Sequence, residues 1–81
     1  MVVRVLFFAS AREITGTASI EIDLLEGATV NELREELLKR FPSLEGIEKK
    51  FAIALNEEYV VDDSTLGNGD EVALIPPVSG G

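Results

Sequence analysis

The sequence predicts an α+β fold in which one main helix packs on one face of a mixed sheet. Three observations point there: period-two apolar patterns at both ends of the 81-residue chain, a single helical pattern between them, and turn-rich joints elsewhere. A chain this short cannot build a second independent core, so one domain is the ceiling. Apolar residues at 46% and charged residues at 27% match ordinary globular usage, which argues against disorder and fibrous repeats.

Val2 to Ala9 is rich in β-branched and aromatic residues. Alternation sets Val3, Val5 and Phe7 on one face and Arg4, Leu6 and Phe8 on the other, as in a strand. Ser10 to Gly16 reads as a connection. Ala18, Ile20, Ile22 and Leu24 then alternate with Ser19, Glu21 and Asp23, giving the first strand a hairpin partner. Thr29 and Glu32 form a T-x-x-E capping box, which closes orphan amide donors and starts a helix at Val30. Val30, Leu33, Leu37 and Phe41 recur at helical spacing, so one face is buried. Lys39 and Arg40 suit the negative end of the helix dipole, and Pro42 forbids continuation, so the helix ends near Phe41.

Leu44 to Lys50 is a poorly patterned crossover. Phe51, Ile53 and Leu55 alternate with the small residues Ala52 and Ala54 as a strand, and Asn56 to Glu58 turns into a short strand at Tyr59 to Val61. The segment Asp62 to Asp70 is turn-rich, and Glu71 to Ile75 returns to strand composition before two prolines. With no second helix in the pattern, the sheet face away from Val30, Leu33, Leu37 and Phe41 stays partly open. This arrangement is the β-grasp, or ubiquitin-like, architecture. The expected organisation is a domain over residues 1–75 and a projecting tail, Pro-Pro-Val-Ser-Gly-Gly, over 76–81.

The chain has no Cys and no His, which removes thiolate metal sites, cysteine nucleophiles, serine-histidine pairs and disulfides. Fifteen acidic against seven basic side chains give a formal charge of −8, which repels phosphate backbones and anionic lipid, so neither nucleic acid nor membrane is expected as a partner. The longest apolar runs, Val5 to Ala9 and Val72 to Val78, fall far short of the ~20 residues a spanning helix needs. Met1 leads straight into a strand with no basic leader, so the expected address is the cytoplasm. Leu6 and Phe8, with Ala73 and Ile75 if the last strand runs alongside, leave apolar area uncovered on the open face, which suits a protein partner.

The tail is the most informative segment. A residue without a side chain lets another protein's backbone and a nucleotide close on its carbonyl from both sides, and Gly80 and Gly81 meet that need. Pro76 and Pro77 cannot donate ladder hydrogen bonds, so they end the sheet and stiffen the start of the tail. Beyond them Val78, Ser79, Gly80 and Gly81 reach about 13 to 14 Å when extended. On these residues alone a functional end and a frayed one both stand. A carboxylate is a poor electrophile, so a functional end would have to be activated, most economically by ATP as an acyl-adenylate, by groups this chain lacks.

Gly67 to Asp70, GNGD, looks like a phosphate loop but lacks the further glycine and the lysine of a P-loop and precedes a strand, so it reads as a tight turn. Asp62 and Asp63 lack the spaced oxygen donors of a calcium loop and read as a solvated turn. Arg12 and Glu13, after the first strand, are either surface solvation or, for Arg12, a dock for an acidic partner. Tyr59 is either core trim or interface.

Four segments carry a resemblance. VLFFASAREITGT at Val5 to Thr17, T-V-x-x-L-R at Thr29 to Arg34, LNEEYV at Leu55 to Val60 and LGNGDEVALIPPVSGG at Leu66 to Gly81 closely resemble the MoaD family, the small sulfur-carrying subunits of molybdopterin synthase. The resemblance covers nearly the whole chain, and its P-P-V-[ST]-G-G ending is specific. It implies a ubiquitin-like fold whose last glycine, here Gly81, is adenylated by an ATP-dependent activating enzyme and converted to a thiocarboxylate with sulfur from a donor protein. It also implies that Pro76 to Gly80 insert into a large subunit, which holds cyclic pyranopterin monophosphate and builds the dithiolene. A heterotetramer with the large subunit is then expected, with no cofactor bound by this chain and the catalytic groups on the large subunit. Phe8, Arg12, Tyr59 and Ile75 match the family's docking surface. The alternatives are a protein modifier joined to lysines through Gly81, and a sulfur carrier for thiamine thiazole synthesis, which generally runs shorter and lacks the P-P-V-[ST]-G-G stalk.

Overall fold

The computed structural model describes residues 1–77. In chain order it has strand β1 (Val2–Phe7), helix α1 (Ala9–Thr15), β2 (Ser19–Asp23), helix α2 (Val30–Arg40), 3-10 turns at Pro42–Leu44 and Glu48–Lys50, β3 (Ala52–Leu55), β4 (Glu58–Val60) and β5 (Glu71–Ile75). The strands form one mixed sheet in the order β2-β1-β5-β3-β4. β1 runs antiparallel to β2 and parallel to β5, while β3 runs antiparallel to both β5 and β4.

The alternation seen in the sequence decides which face is buried. Val3, Val5 and Phe7 of β1, Ile22 of β2, Ile53 of β3, and Val72 and Leu74 of β5 point into the core, against Val30, Leu33 and Leu37 of α2. Burying side chains of this size contributes about 1.5–3 kcal/mol each. Phe41, just past α2, packs edge-on against Phe7 with ring centroids 5.6 Å apart, which ties the end of the helix to the end of β1. At the start of α2, Thr29 accepts from the Glu32 backbone N–H, and the Glu32 carboxylate accepts from the Thr29 N–H. The predicted capping box is therefore present and begins the helix at Val30 as expected.

Several expectations need correction. Ser10 to Gly16 is not a plain connection but most of α1, which places Ala11 in the core and packs against β1, β5 and the Pro42–Leu44 turn. Gly16, at φ 76°, ends the helix by donating its N–H to the Arg12 carbonyl. A second helix therefore exists, yet because Ala11 joins the core cluster it lies on the core side, and the far sheet face stays open. The first strand, expected over Val2 to Ala9, ends at Phe7; Phe8 is the cap residue of α1 and Ala9 its first residue. Phe51 precedes β3 rather than starting it, and the short strand is Glu58–Val60 rather than Tyr59 to Val61. The crossover is tightly built despite its weak pattern, with Leu44 fully buried and Phe51 4% exposed.

Candidate functional site: the root of the tail

The parallel pairing of β1 with β5 positions the site. Phe7 lies opposite Leu74, so the chain leaves the sheet after Ile75, beside the junction of β1 and α1. Phe8 is extended, and alternation turns it toward the open side, where it is 45% exposed. Arg12 stands four residues on, hence on the same flank of α1, and is exposed. Pro76 and Pro77 follow Ile75 directly, Pro76 half-buried and Pro77 exposed. Phe8, Arg12 and Ile75 thus gather around the root of the tail.

Tyr59 belongs to the same face but stands apart. The register aligns Leu6, Ala73, Ala54 and Tyr59 in one row across β1, β5, β3 and β4. Ile75 and Ala52 pair in the next row toward the tail. Three alanines make the middle of this face low, and Tyr59, 72% exposed, forms its far bank. The face can bury apolar side chains of another protein between Tyr59 and Phe8. At its opposite end Glu21, Arg4 and Glu71 form a charged row. Val78, Ser79, Gly80 and Gly81 lie outside the described residues.

The segments set aside in the sequence have structural explanations. In GNGD, Gly69 adopts φ 83°, and the Asp70 carboxylate accepts from the Gly67 N–H at 2.7 Å, closing a turn. Asp62 is more than solvation, since its carboxylate accepts from Arg34 Nε at 3.1 Å.

Arg34 is the residue that sequence reasoning missed. It is 8% exposed and spans from α2 to the crossover, donating from Nη1 to the Glu48 carbonyl and from Nη2 to the Phe51 carbonyl at 2.7 Å. A legible signal exists: Arg34 lies four residues after Val30 and three before Leu37, on the buried side of α2. Its guanidinium fork satisfies carbonyls that the irregular crossover leaves without ladder partners.

Among the described residues, the root of the tail offers apolar surface, Arg12 and, beside Pro77, Ser10 and Lys50. The mixed five-stranded sheet and its helices define a class, the ubiquitin-like β-grasp proteins. The chain belongs to the ThiS family, which matches residues 5–81. It is 43% identical over 79 residues to the molybdopterin synthase sulfur carrier subunit of Arabidopsis thaliana, covering 98% of this chain and 82% of that one. Among solved structures it superposes on SAMP1 from Haloferax volcanii with a TM-score of 0.91 at 28% identity over all of both chains. A complex of subunits 1 and 2 of the molybdopterin-converting factor from Helicobacter pylori contains a match with a TM-score of 0.72 at 30% identity, again over all of both chains.

Proposed function

We propose that this protein is the sulfur carrier subunit of molybdopterin synthase. The observation that carries the reading is the placement of β5. It is paired on both sides, and its end delivers Pro76 and Pro77 beside Phe8, Arg12 and Ile75. A domain so built holds a tail out for another protein while gripping that protein by the open face. The similarity, over 98% of this chain, to a molybdopterin synthase sulfur carrier subunit supports the chemistry.

In this reading an activating enzyme joins the Gly81 carboxylate to the α-phosphate of ATP and releases pyrophosphate. Sulfide-level sulfur from a donor protein then attacks the acyl carbon and displaces AMP, leaving a thiocarboxylate and a proton. The thioacid is a softer nucleophile than the carboxylate, so it transfers sulfur without any Cys on this chain. Pro76 to Gly80 carry Gly81 into the large subunit, where cyclic pyranopterin monophosphate receives the sulfur on the way to the dithiolene. Catalytic groups belong to that subunit, as does the exclusion of water from the reactive end. This chain binds no cofactor, assembles with the large subunit as a heterotetramer and works in the cytoplasm. Contacts at Phe8, Arg12, Tyr59 and Ile75 supply the affinity that holds the large subunit on the open face.

Incubation with the activating enzyme, ATP and a sulfur source should replace one oxygen by sulfur at Gly81, read by intact mass. Unimpaired molybdopterin synthesis by a chain extended past Gly81 would rule the proposal out. The likeness to SAMP1, a small archaeal modifier protein, supports a second reading, conjugation to lysines through Gly81. Gly-Gly remnants on many cellular lysines, with cofactor levels intact in a deletion strain, would favour it.

A further inference from the structure

The root of the tail has a second flank. On the side of α1 away from Phe8 and Arg12, a depression of about 200 Å³ opens between α1 and the crossover, lined by Ser10, Ile14, Ile47, Lys50, Phe51 and Pro77. Ser10 and Ile14 are four residues apart and share one side of the helix, whereas Arg12 falls on the other. Ile14 and Ile47 are half-buried, Phe51 forms the buried floor, and Pro77 supplies a wall from the tail itself. Lys50 is exposed at the rim and makes no ion pair among the described residues.

We propose that this depression receives an apolar side chain of the protein that takes up the tail, with a carboxylate of that protein on the Lys50 ammonium. The inference rests on the sulfur-carrier reading and adds a contact on the side of the tail opposite the open sheet face. Because Pro77 is part of the wall, a protein that contacts Pro77 also meets the depression. The shape is held in advance: Arg34 binds the carbonyls of Glu48 and Phe51, so the crossover wall does not have to be ordered on binding. Charge selects the occupant. On a chain of net charge −8, an acidic group is welcome only where a free cation stands, and Lys50 supplies one beside the apolar floor. A second copy would set −8 against −8.

The test uses the full chain and the purified large subunit, with Kd measured at low and high salt. Ile47→Asp should weaken binding about tenfold or more, and Lys50→Glu about fivefold with a flatter salt dependence. Lys50 is exposed, so its variant folds whatever happens at Ile47, and circular dichroism checks both. The Ile14 and Ile47 methyl resonances should also move when the large subunit is added. If the unaltered chain binds and both variants bind equally well, the depression is not a docking site, while the sulfur-carrier reading survives. If the unaltered chain itself fails to bind the large subunit, that reading falls and this site with it. Methyl resonances that move in the free chain on Val78→Gly would assign the depression to the chain's own tail, and resonances that move with concentration would assign it to a second copy. Either result overturns the proposal.

Discussion

Arg34 concentrates more structural work than any other polar side chain described. Its three contacts, to Asp62 and to the carbonyls of Glu48 and Phe51, tie two separate segments, the crossover and the turn after β4, to α2. Arg34→Ala strands buried carbonyls, so stability should fall by about 3 kcal/mol in urea unfolding. Arg34→Lys should recover only part of that, because a single ammonium cannot replace the planar fork. Glu57 offers the opposite case. It follows Asn56 in the two-residue loop between β3 and β4, and both residues have positive φ, 48° at Asn56 and 74° at Glu57. Such a turn favours Asn-Gly, so Glu57→Gly should raise stability by about 1 kcal/mol and the thermal midpoint by several degrees. Asn56 should be kept, since its side chain accepts from the Glu71 N–H at 3.0 Å and donates to Asp70 at 3.1 Å.

At the scale of elements, the strands and α2 were legible because their apolar residues keep a period of two or of 3.6 over enough residues to stand out. α1 was not. It has seven residues and places only Ala11 fully inside, so no period can declare itself. Its one readable mark was the glycine that ends it. Gly16→Ala should therefore destabilise the domain by about 1 kcal/mol, with loss of α1 amide protection in hydrogen exchange. The crossover hid for a related reason: 3-10 turns are too short for periodicity, and the groups that hold the second of them, on Arg34, come from the middle of the preceding helix. Thr29→Ala tests the element whose start was read correctly. Losing the capping box should cost about 1 kcal/mol.

For the whole molecule, the class of fold was legible but the juxtaposition at the root of the tail was not. Alternation marked Phe8 and Ile75 as uncovered apolar residues and left Arg12 and Tyr59 as surface or interface; the family resemblance joined the four into one docking surface. Phe8, Arg12 and Ile75 are brought together by the parallel pairing of β1 and β5, about 70 residues apart in sequence, which no local pattern encodes. Ile14, Ile47 and Lys50 went unremarked because the wall they form appears only when α1 meets the crossover. Adding one residue after Gly81 should leave the thermal midpoint unchanged and abolish sulfur loading by intact mass, separating the stability of the domain from the use of its end.

The position of β5 has a mechanical consequence. Tension applied through Pro76 runs along a strand clasped by ladders on both sides, so hydrogen bonds to β1 and β3 resist together in shear instead of peeling open one after another. In the proposed function this lets the domain stay folded while its end is drawn out of the large subunit.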